Sequence, residues 1–220
     1  LIMKFFETSK YFQLNKPTYI NLRWIAIIGQ LFTINLVAFF FKFDFNFILS
    51  NFIILIGIFL NFYLMYFYKE NYLTNKFSFF FLNIDIFQLS LLIYLTGGIT
   101  NPFIVFIIIP CIFSSTNLDI KANLLLVFIT ISSIVFLTFF HKNLPGNLSA
   151  HFHVSDYYYY SIPIALIIAL FFLNYFAINF GTQSRLRKEA LTKMEEVMAK
   201  EHELLSLGGQ AAAAAHSLGT

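Results

Sequence analysis

The chain has 220 residues, of which 59% are hydrophobic, 20% aromatic and only 11% charged, and its formal net charge is +3. A mean hydropathy of +0.74 excludes an ordinary water-soluble domain, and several apolar runs are long enough to cross a bilayer. The single cysteine, Cys111, lies inside an apolar run, which excludes a disulfide framework. We therefore predict an all-α, polytopic membrane protein. Because the first residue is Leu1 and not methionine, we expect both ends to be those of a fragment.

Six apolar segments follow a mixed polar and aromatic lead, residues 1–23, in which Pro17 is expected to interrupt any helix. We predict that these segments are transmembrane helices and together form a membrane domain, residues 24–181. The fourth is short and contains Pro110, so we expect it to be tilted, kinked or partly re-entrant. The segments lie at 24–41, 46–68, 77–96, 102–118, 122–141 and 158–181.

The basic residues predict the orientation of these six helices. With a cytoplasmic N-terminus, the outside loops hold only Lys42 and Lys142. The other basic residues then lie inside, which is the asymmetry of the positive-inside rule, and both ends are cytoplasmic. These are Lys4, Lys10, Lys16, Arg23, Lys69, Lys76, Lys121, Arg185, Arg187, Lys188, Lys193 and Lys200.

After residue 181 the chain becomes charged and helix-favouring, and its apolar residues recur at intervals of seven. Such a repeat predicts a dimeric coiled coil or a four-helix bundle. Gly208 and Gly209 follow, and we expect them to loosen the helix before an alanine run. The two apolar series are Ala190, Val197, Leu204 and Ala211, and Leu191, Met198, Leu205 and Ala212.

A histidine, His216, follows five alanines and precedes Ser217, Leu218, Gly219 and Thr220. Alanine is the best helix former, and its small side chain leaves the imidazole accessible to solvent or to a partner. Imidazole titrates near neutrality and is a competent nucleophile, so His216 is a candidate phosphoacceptor. The alternative is an alanine-rich helix with an incidental histidine.

The turn between the third and fourth segments contains Gly97, Gly98, Asn101, Pro102 and Phe103. The two glycines allow backbone conformations closed to other residues, and Asn followed by Pro is a good N-cap and N1 pair. One interpretation is a well-built hairpin between membrane helices. The other is a pocket in which the glycine backbone and the Asn101 amide bind the carbonyl groups of a lipid-soluble quinone beside Phe103.

Asp85 lies near the middle of the third segment, and Gln88 is three residues further on the same helix face. An ionisable group at that depth should face the interior of the bundle. It either forms an interhelical hydrogen bond or belongs to a proton- or quinone-linked site. Elsewhere, His141, His151 and His153 resemble an incomplete metal site; we favour a solvated loop and predict no bound metal.

The glycine turn and the alanine–histidine box together resemble the RegB/PrrB family of redox-responsive sensor histidine kinases. Residues 23–30, Arg-Trp-Ile-Ala-Ile-Ile-Gly-Gln, and the Asp85-x-x-Gln88-Leu89 pattern also resemble that family, so the resemblance covers roughly residues 20–220. It implies a six-helix sensor, ubiquinone binding near Gly97 and Asn101, and dimeric autophosphorylation on His216. The family usually has an acidic residue where this chain has Ser217, and its redox-active cysteine lies beyond the histidine box, so Cys111 is not that residue.

The resemblance also implies the surroundings of the protein. Residues 182–220 would be a signalling helix and the start of the dimerisation and phosphoacceptor domain, with the domain that binds ATP and Mg²⁺ absent, so that the fragment is inactive alone. The expected partners are a second copy of the chain, a response regulator, membrane lipid and quinone in a bacterial inner membrane, with no direct contact to nucleic acid. Two alternatives stay open: a small transporter or channel with Asp85 on its pathway, and a non-catalytic quinone-binding or assembly subunit.

Overall fold

The computed structural model describes residues 14–144 and 155–219, and most of them are helical. His151, His153 and most of the polar lead lie outside the described residues. Two short antiparallel strands, β1 (Leu14–Asn15) and β2 (Tyr72–Leu73), join the first described residues to the loop between the second and third helices. The helices are α1 (Lys16–Phe39), α2 (Phe47–Tyr66), α3 (Asn75–Leu95), α4 (Ile109–Asn117), α5 (Ile120–Phe139) and α6 (Asp156–Leu218).

Five of these helices, α1, α2, α3, α5 and α6, are long and apolar enough to cross a membrane. The fourth predicted segment differs, because Pro102–Ile108 forms a 3-10 helix that continues directly into the short helix α4. The change of helix type comes at Ile109, one residue before Pro110. Proline fits the first turn of an α-helix because the missing N–H has no partner there. The chain is thus a helical, multi-pass membrane protein with one shorter, irregular apolar segment.

Helix α1 begins eight residues earlier than predicted, at Lys16 and not at residue 24. The expectation that Pro17 interrupts a helix was wrong, because Pro17 lies in the first turn of α1. The Asn15 side chain caps this turn by accepting a hydrogen bond from the Thr18 N–H at 3.1 Å. The Lys16 ammonium group in turn donates to the Tyr68 carbonyl just after α2. The start of α1 is therefore tied to the α2–α3 connection.

Aromatic side chains cover much of the outer surface of the bundle, as expected for a surface in contact with lipid. Phe59 on α2 and Phe128 on α5 are examples, at 70% and 66% exposed. The only tryptophan in the chain, Trp24, packs edge-to-face against Phe62, and the centroids of the two rings are 5.3 Å apart. This contact joins α1 to α2.

A buried polar network joins α4, α5 and α6. The Ser114 hydroxyl donates to Asn123 Oδ1 at 2.5 Å, and Asn123 Nδ2 donates to Asn174 Oδ1 at 3.0 Å. All three side chains are at least 94% buried. Because an apolar environment offers no other partners, such bonds fix the relative positions of membrane helices. Helix α6 is thereby held to the irregular fourth segment.

The described residues fall into two compact units, which divide between Ile178 and Asn179. The second unit consists of the C-terminal part of α6. Gly208 and Gly209 do not interrupt this helix, contrary to the expected loosening, because neighbouring alanines and leucines favour it strongly. Along it the apolar heptad positions are exposed, as Val197 at 64% and Leu204 at 69% show.

Candidate functional site

A cavity of about 830 Å³ lies between α1, α3 and the irregular segment 102–117. Pockets that hold small molecules have volumes of ~300–1,000 Å³ and mostly apolar walls with a few polar groups. This cavity has that character. Four of the predicted site residues line it together: Asp85, Asn101, Pro102 and Phe103. The structure therefore joins two candidates that the sequence had left separate, the intramembrane carboxylate and the glycine turn.

Asp85 forms an ion pair with Arg23 across the α1–α3 interface. The Arg23 Nε atom lies 3.0 Å from Asp85 Oδ1, and the Tyr19 hydroxyl donates to Asp85 Oδ2 at 2.5 Å. The side chains of Arg23 and Asp85 are only 5% and 19% exposed. Both carboxylate oxygens thus have a charged or hydrogen-bonded partner, which a carboxylate within a membrane bundle requires. Asp85 thus forms the kind of interhelical contact that was predicted for it, between α3 and α1.

Arg23 itself is held by aromatic rings, and its outer nitrogens are left free. The centre of its guanidinium group lies 5.6 Å from the Tyr19 ring centroid and 5.7 Å from the Phe81 ring centroid, within the range of cation–π contacts. Its Nη1 and Nη2 atoms are buried and have no hydrogen-bond partner among the described residues. The ion pair uses Nε, so the two remaining donor groups of the side chain are unsatisfied.

Two glutamines form a second polar contact in the cavity wall. Gln88 Nε2 on α3 donates to Gln30 Oε1 on α1 at 3.1 Å. Gly57 on α2 provides the space for Gln88, because a Cβ atom at that position would lie 2.6 Å from its amide group. Gln30 and Gln88 lie one to two helical turns beyond Arg23 and Asp85 on their respective helices.

The glycine turn has the backbone conformation that its glycines predicted. Gly97 and Gly98 have positive φ angles of 116° and 55°. A Cβ atom on Gly97 would lie 2.5 Å from the Leu144 side chain, and one on Gly98 would lie 2.3 Å from the His141 Cβ. The two glycines thus allow the residues after α5 to pack closely. Neither glycine is among the residues that line the cavity.

The Asn101 side chain is used within the turn. Its Oδ1 atom accepts a hydrogen bond from the Phe103 N–H at 2.9 Å, which is the predicted N-cap. Its Nδ2 atom donates to the Thr96 carbonyl at 3.1 Å and to the Thr96 hydroxyl at 2.6 Å. Both amide hydrogens therefore have partners, and Asn101 has no free donor for a ligand.

Phe103 forms an aromatic wall of the cavity. Its side chain is 42% exposed, and its ring lies 6.0 Å from that of Phe106, nearly parallel to it. Both residues belong to the 3-10 helix that begins at Pro102. Because side chains three residues apart eclipse in a 3-10 helix, the two rings face the same side.

His216 lies in the second unit, in the last turn of α6, and is exposed. The helical context predicted for it is present. Residues 14–144 and 155–219 contain no cluster of three or more His, Cys, Asp or Glu side chains that could hold a metal ion.

Sequence reasoning missed Arg23, Tyr19 and Gln30 as parts of the site. Arg23 and Gln30 were noted in the family resemblance, and Arg23 otherwise only as a basic residue on the cytoplasmic side. A usable signal existed. Tyr19 and Arg23 are four residues apart, and Arg23 and Gln30 are seven apart, so all three lie on one face of α1. The sequence alone does not state that this face meets the Asp85 face of α3.

The chain is 30% identical over 204 residues, which is 92% of its length, to the sensor histidine kinase RegB of Cereibacter sphaeroides. The chain spans 44% of the length of that relative. No family model matches the chain, and no solved structure matches it. The resemblance to RegB-type sensor kinases that the two motifs indicated is thereby confirmed.

Proposed function

We propose that this chain is the membrane sensor and the start of the phosphoacceptor region of a RegB-type sensor histidine kinase in a two-component system. The observation that carries the proposal is the similarity to RegB over 204 residues, which is nearly the whole chain. The cavity between α1, α3 and segment 102–117 supports a sensory role, because it is large enough to hold a ligand and lies far along the chain from His216. The positive-inside asymmetry supports cytoplasmic N- and C-termini in a bacterial inner membrane.

The proposed chemistry at His216 is phosphoryl transfer. In the full-length protein an imidazole nitrogen attacks the γ-phosphorus of ATP, a P–N bond forms, and the bond to the β-phosphate oxygen breaks as ADP leaves. Mg²⁺ in the ATP-binding domain neutralises the phosphate charge. The phosphoryl group then passes to a response regulator. Exposure of His216 in the last turn of α6 supports this role, because both reactions need access to the imidazole.

The proposed ligand of the cavity is a membrane quinone such as ubiquinone. The cavity fits such a ligand in three respects: its volume, its apolar walls and its aromatic face at Phe103. When bound, the quinone supplies the redox state to be sensed. The protein's own groups orient it, and Phe103 and Phe106 would cover one face of the ring. The Asn101 amide shapes the turn, since its hydrogens already bind Thr96.

Replacing Phe103 with alanine in the full-length protein is expected to weaken quinone binding about tenfold, because it removes an aromatic wall. Autophosphorylation in liposomes, with and without added ubiquinone, should then respond only at higher quinone concentrations. A ligand shifts the equilibrium between the two states of the kinase only if it binds those states with different affinities. Weaker binding therefore gives a weaker response at a fixed quinone concentration. Asn101→Ala should act in the same direction, by removing the N-cap of the segment that carries Phe103.

The matched control is Phe128→Ala, which removes an aromatic side chain from the lipid-facing surface of α5 and outside the cavity. Its quinone response should equal that of the unmodified protein. Asn101→Ser keeps an oxygen that can cap the 3-10 helix and should retain more of the response than Asn101→Ala. If Phe103→Ala and Asn101→Ala respond to quinone like the unmodified protein, the cavity is not the quinone site.

The proposed dimer depends on the exposed heptad positions of the second unit. Cysteine placed at Val197 or Leu204 should crosslink efficiently between subunits, because both positions lie on the predicted seam. Cysteine at Lys200, between them in the sequence and outside both apolar series, is the control and should crosslink less. Crosslinking yields on non-reducing gels measure the difference. Equal yields at all three positions would contradict a defined dimer seam.

The second candidate function is a small transporter, and the buried Arg23–Asp85 pair favours it, because ionisable groups inside membrane helices often mark a transport path. A transporter does not require phosphorylation of His216. Labelling of this histidine by ATP therefore decides between the two candidates.

A further inference from the structure

Arg23 is a buried, charged side chain inside the membrane bundle, and two of its nitrogen atoms have no hydrogen-bond partner among the described residues. It is 5% exposed, and the two atoms are Nη1 and Nη2. A buried donor without an acceptor loses its interactions with water and gains nothing in return, and the loss is larger for a charged group. Such groups in native structures mark a functional site or a missing ligand atom.

The position of this group is fixed from three sides. Asp85 binds Nε, while the rings of Tyr19 and Phe81 lie close to the guanidinium centre. The side chain therefore has little freedom to turn toward another acceptor. The same side chain lines the 830 Å³ cavity. Because Nη1 and Nη2 have almost no accessible surface, an oxygen atom of a molecule in the cavity reaches them only after side chains of the cavity wall shift.

At the opposite end of the cavity, beside Phe103, the Asn101 amide is not a free donor. Its amide hydrogens already bind Thr96. From Asp85 to Thr96 there are eleven residues along α3, or about 16 Å at 1.5 Å per residue. The cavity is thus long, with free donors at the Arg23 end and an aromatic wall at the Phe103 end.

We propose that Arg23 is the anchor for a ligand oxygen, so that a carbonyl-bearing ring in this cavity is seated with one oxygen against Nη1 and Nη2, in the interior of the bundle. Asp85 and Tyr19 act as positioning residues that hold the guanidinium group in place. This inference rests on the proposed quinone function and adds to it the residue that binds the polar head. The ligand class is a neutral, acceptor-bearing ring with an apolar tail, because the cavity is otherwise apolar.

The test measures binding of a short-chain ubiquinone to the full-length protein in lipid nanodiscs. Arg23→Lys keeps the charge beside Asp85 but loses the two outer nitrogens of the fork, and affinity should fall about tenfold. The double variant Arg23→Gln/Asp85→Asn removes both charges together, so no ion is left unpaired, and affinity should fall by tenfold to a hundredfold. A probe with the same ring but methyl ethers in place of the carbonyl groups is a weaker acceptor, so its affinity should differ less between the unmodified protein and the Arg23 variants.

Phe103→Ala in the same assay separates this inference from the proposed function. If Phe103→Ala weakens binding and both Arg23 variants bind ubiquinone like the unmodified protein, the quinone is in the cavity but Arg23 is not its anchor, and the inference fails alone. If none of the three variants changes the affinity, the inference and the proposed quinone site both fail. Thermal unfolding of each variant in nanodiscs, matching that of Phe128→Ala, establishes that a loss of binding is not a loss of fold.

Discussion

Replacement of His216 by glutamine in the full-length protein is expected to abolish incorporation of acid-labile phosphate from labelled ATP. Glutamine has nearly the size of histidine and favours the helix, but its amide is not a nucleophile at neutral pH. A phosphoryl group on imidazole is bound through nitrogen, so its label is lost in acid and kept in alkali. The effect should be a complete loss and not a reduction, since no other group replaces the attacking atom.

The chain supplies a matched control for this experiment in His202. This histidine is exposed on the same helix, fourteen residues or two heptads before His216, and so lies on nearly the same side of a heptad-patterned helix. His202→Gln should be labelled at the normal level. Normal labelling of His216→Gln would show that the phosphoacceptor is a different residue. Equal loss in both variants would show that the loss is not specific to His216 and would contradict the assignment.

Replacement of Asp85 by alanine is expected to destabilise the membrane bundle by about 3–5 kcal/mol, because it leaves the Arg23 guanidinium buried without its counter-ion. The hydroxyl of Tyr19 would lose its acceptor as well. The loss should be visible as a lower unfolding temperature of the protein in detergent or nanodiscs. Asp44→Ala, an exposed carboxylate in the α1–α2 loop, is the control and should change stability by no more than about 0.5 kcal/mol.

A second substitution tests the cause of that loss. The double variant Arg23→Leu/Asp85→Leu removes both charges, and replacing a buried ion pair with apolar residues of similar volume is often nearly neutral for stability. We expect the double variant to be more stable than Asp85→Ala by at least ~2 kcal/mol, because it leaves no buried charge without a partner. If the double variant is the less stable of the two, the ion pair itself, and not the unpaired charge, supplies the stability.

The membrane fold was largely predictable because long apolar runs have one main solution, the helix. All six predicted apolar segments are helical, including the irregular fourth one. The start of α1 was not predicted, since Pro17 can either break a helix or begin one, and only the hydrogen bond from Thr18 to Asn15 decides between the two. The 3-10 form of residues 102–108 has no clear sequence signal.

The candidate site was only half predictable. Asp85 was expected to face the interior because a charge cannot face lipid, and Asn101 was expected to cap a helix. Both expectations follow from local chemistry and agree with the structure. The partner of Asp85 depends on which helices are neighbours, which a single sequence does not contain. The glycine turn was expected to face a ligand, but its two glycines pack against Leu144 and His141. A single sequence does not show that the residues after α5 cover this turn.

Trp24, which packs against Phe62, gives the chain an intrinsic fluorophore at a defined position. It is the only indole among the 220 residues, and its neighbours on both sides in sequence, Arg23 and Ile25, line the cavity. Quinone rings accept electrons from an excited indole at short range and so quench its emission. Indole fluorescence of these 220 residues, excited at wavelengths where the twelve tyrosines do not absorb, therefore comes from one place beside the cavity. Its quenching by a quinone, compared with that by a redox-inactive ring of equal size, measures occupancy of the cavity without an attached dye.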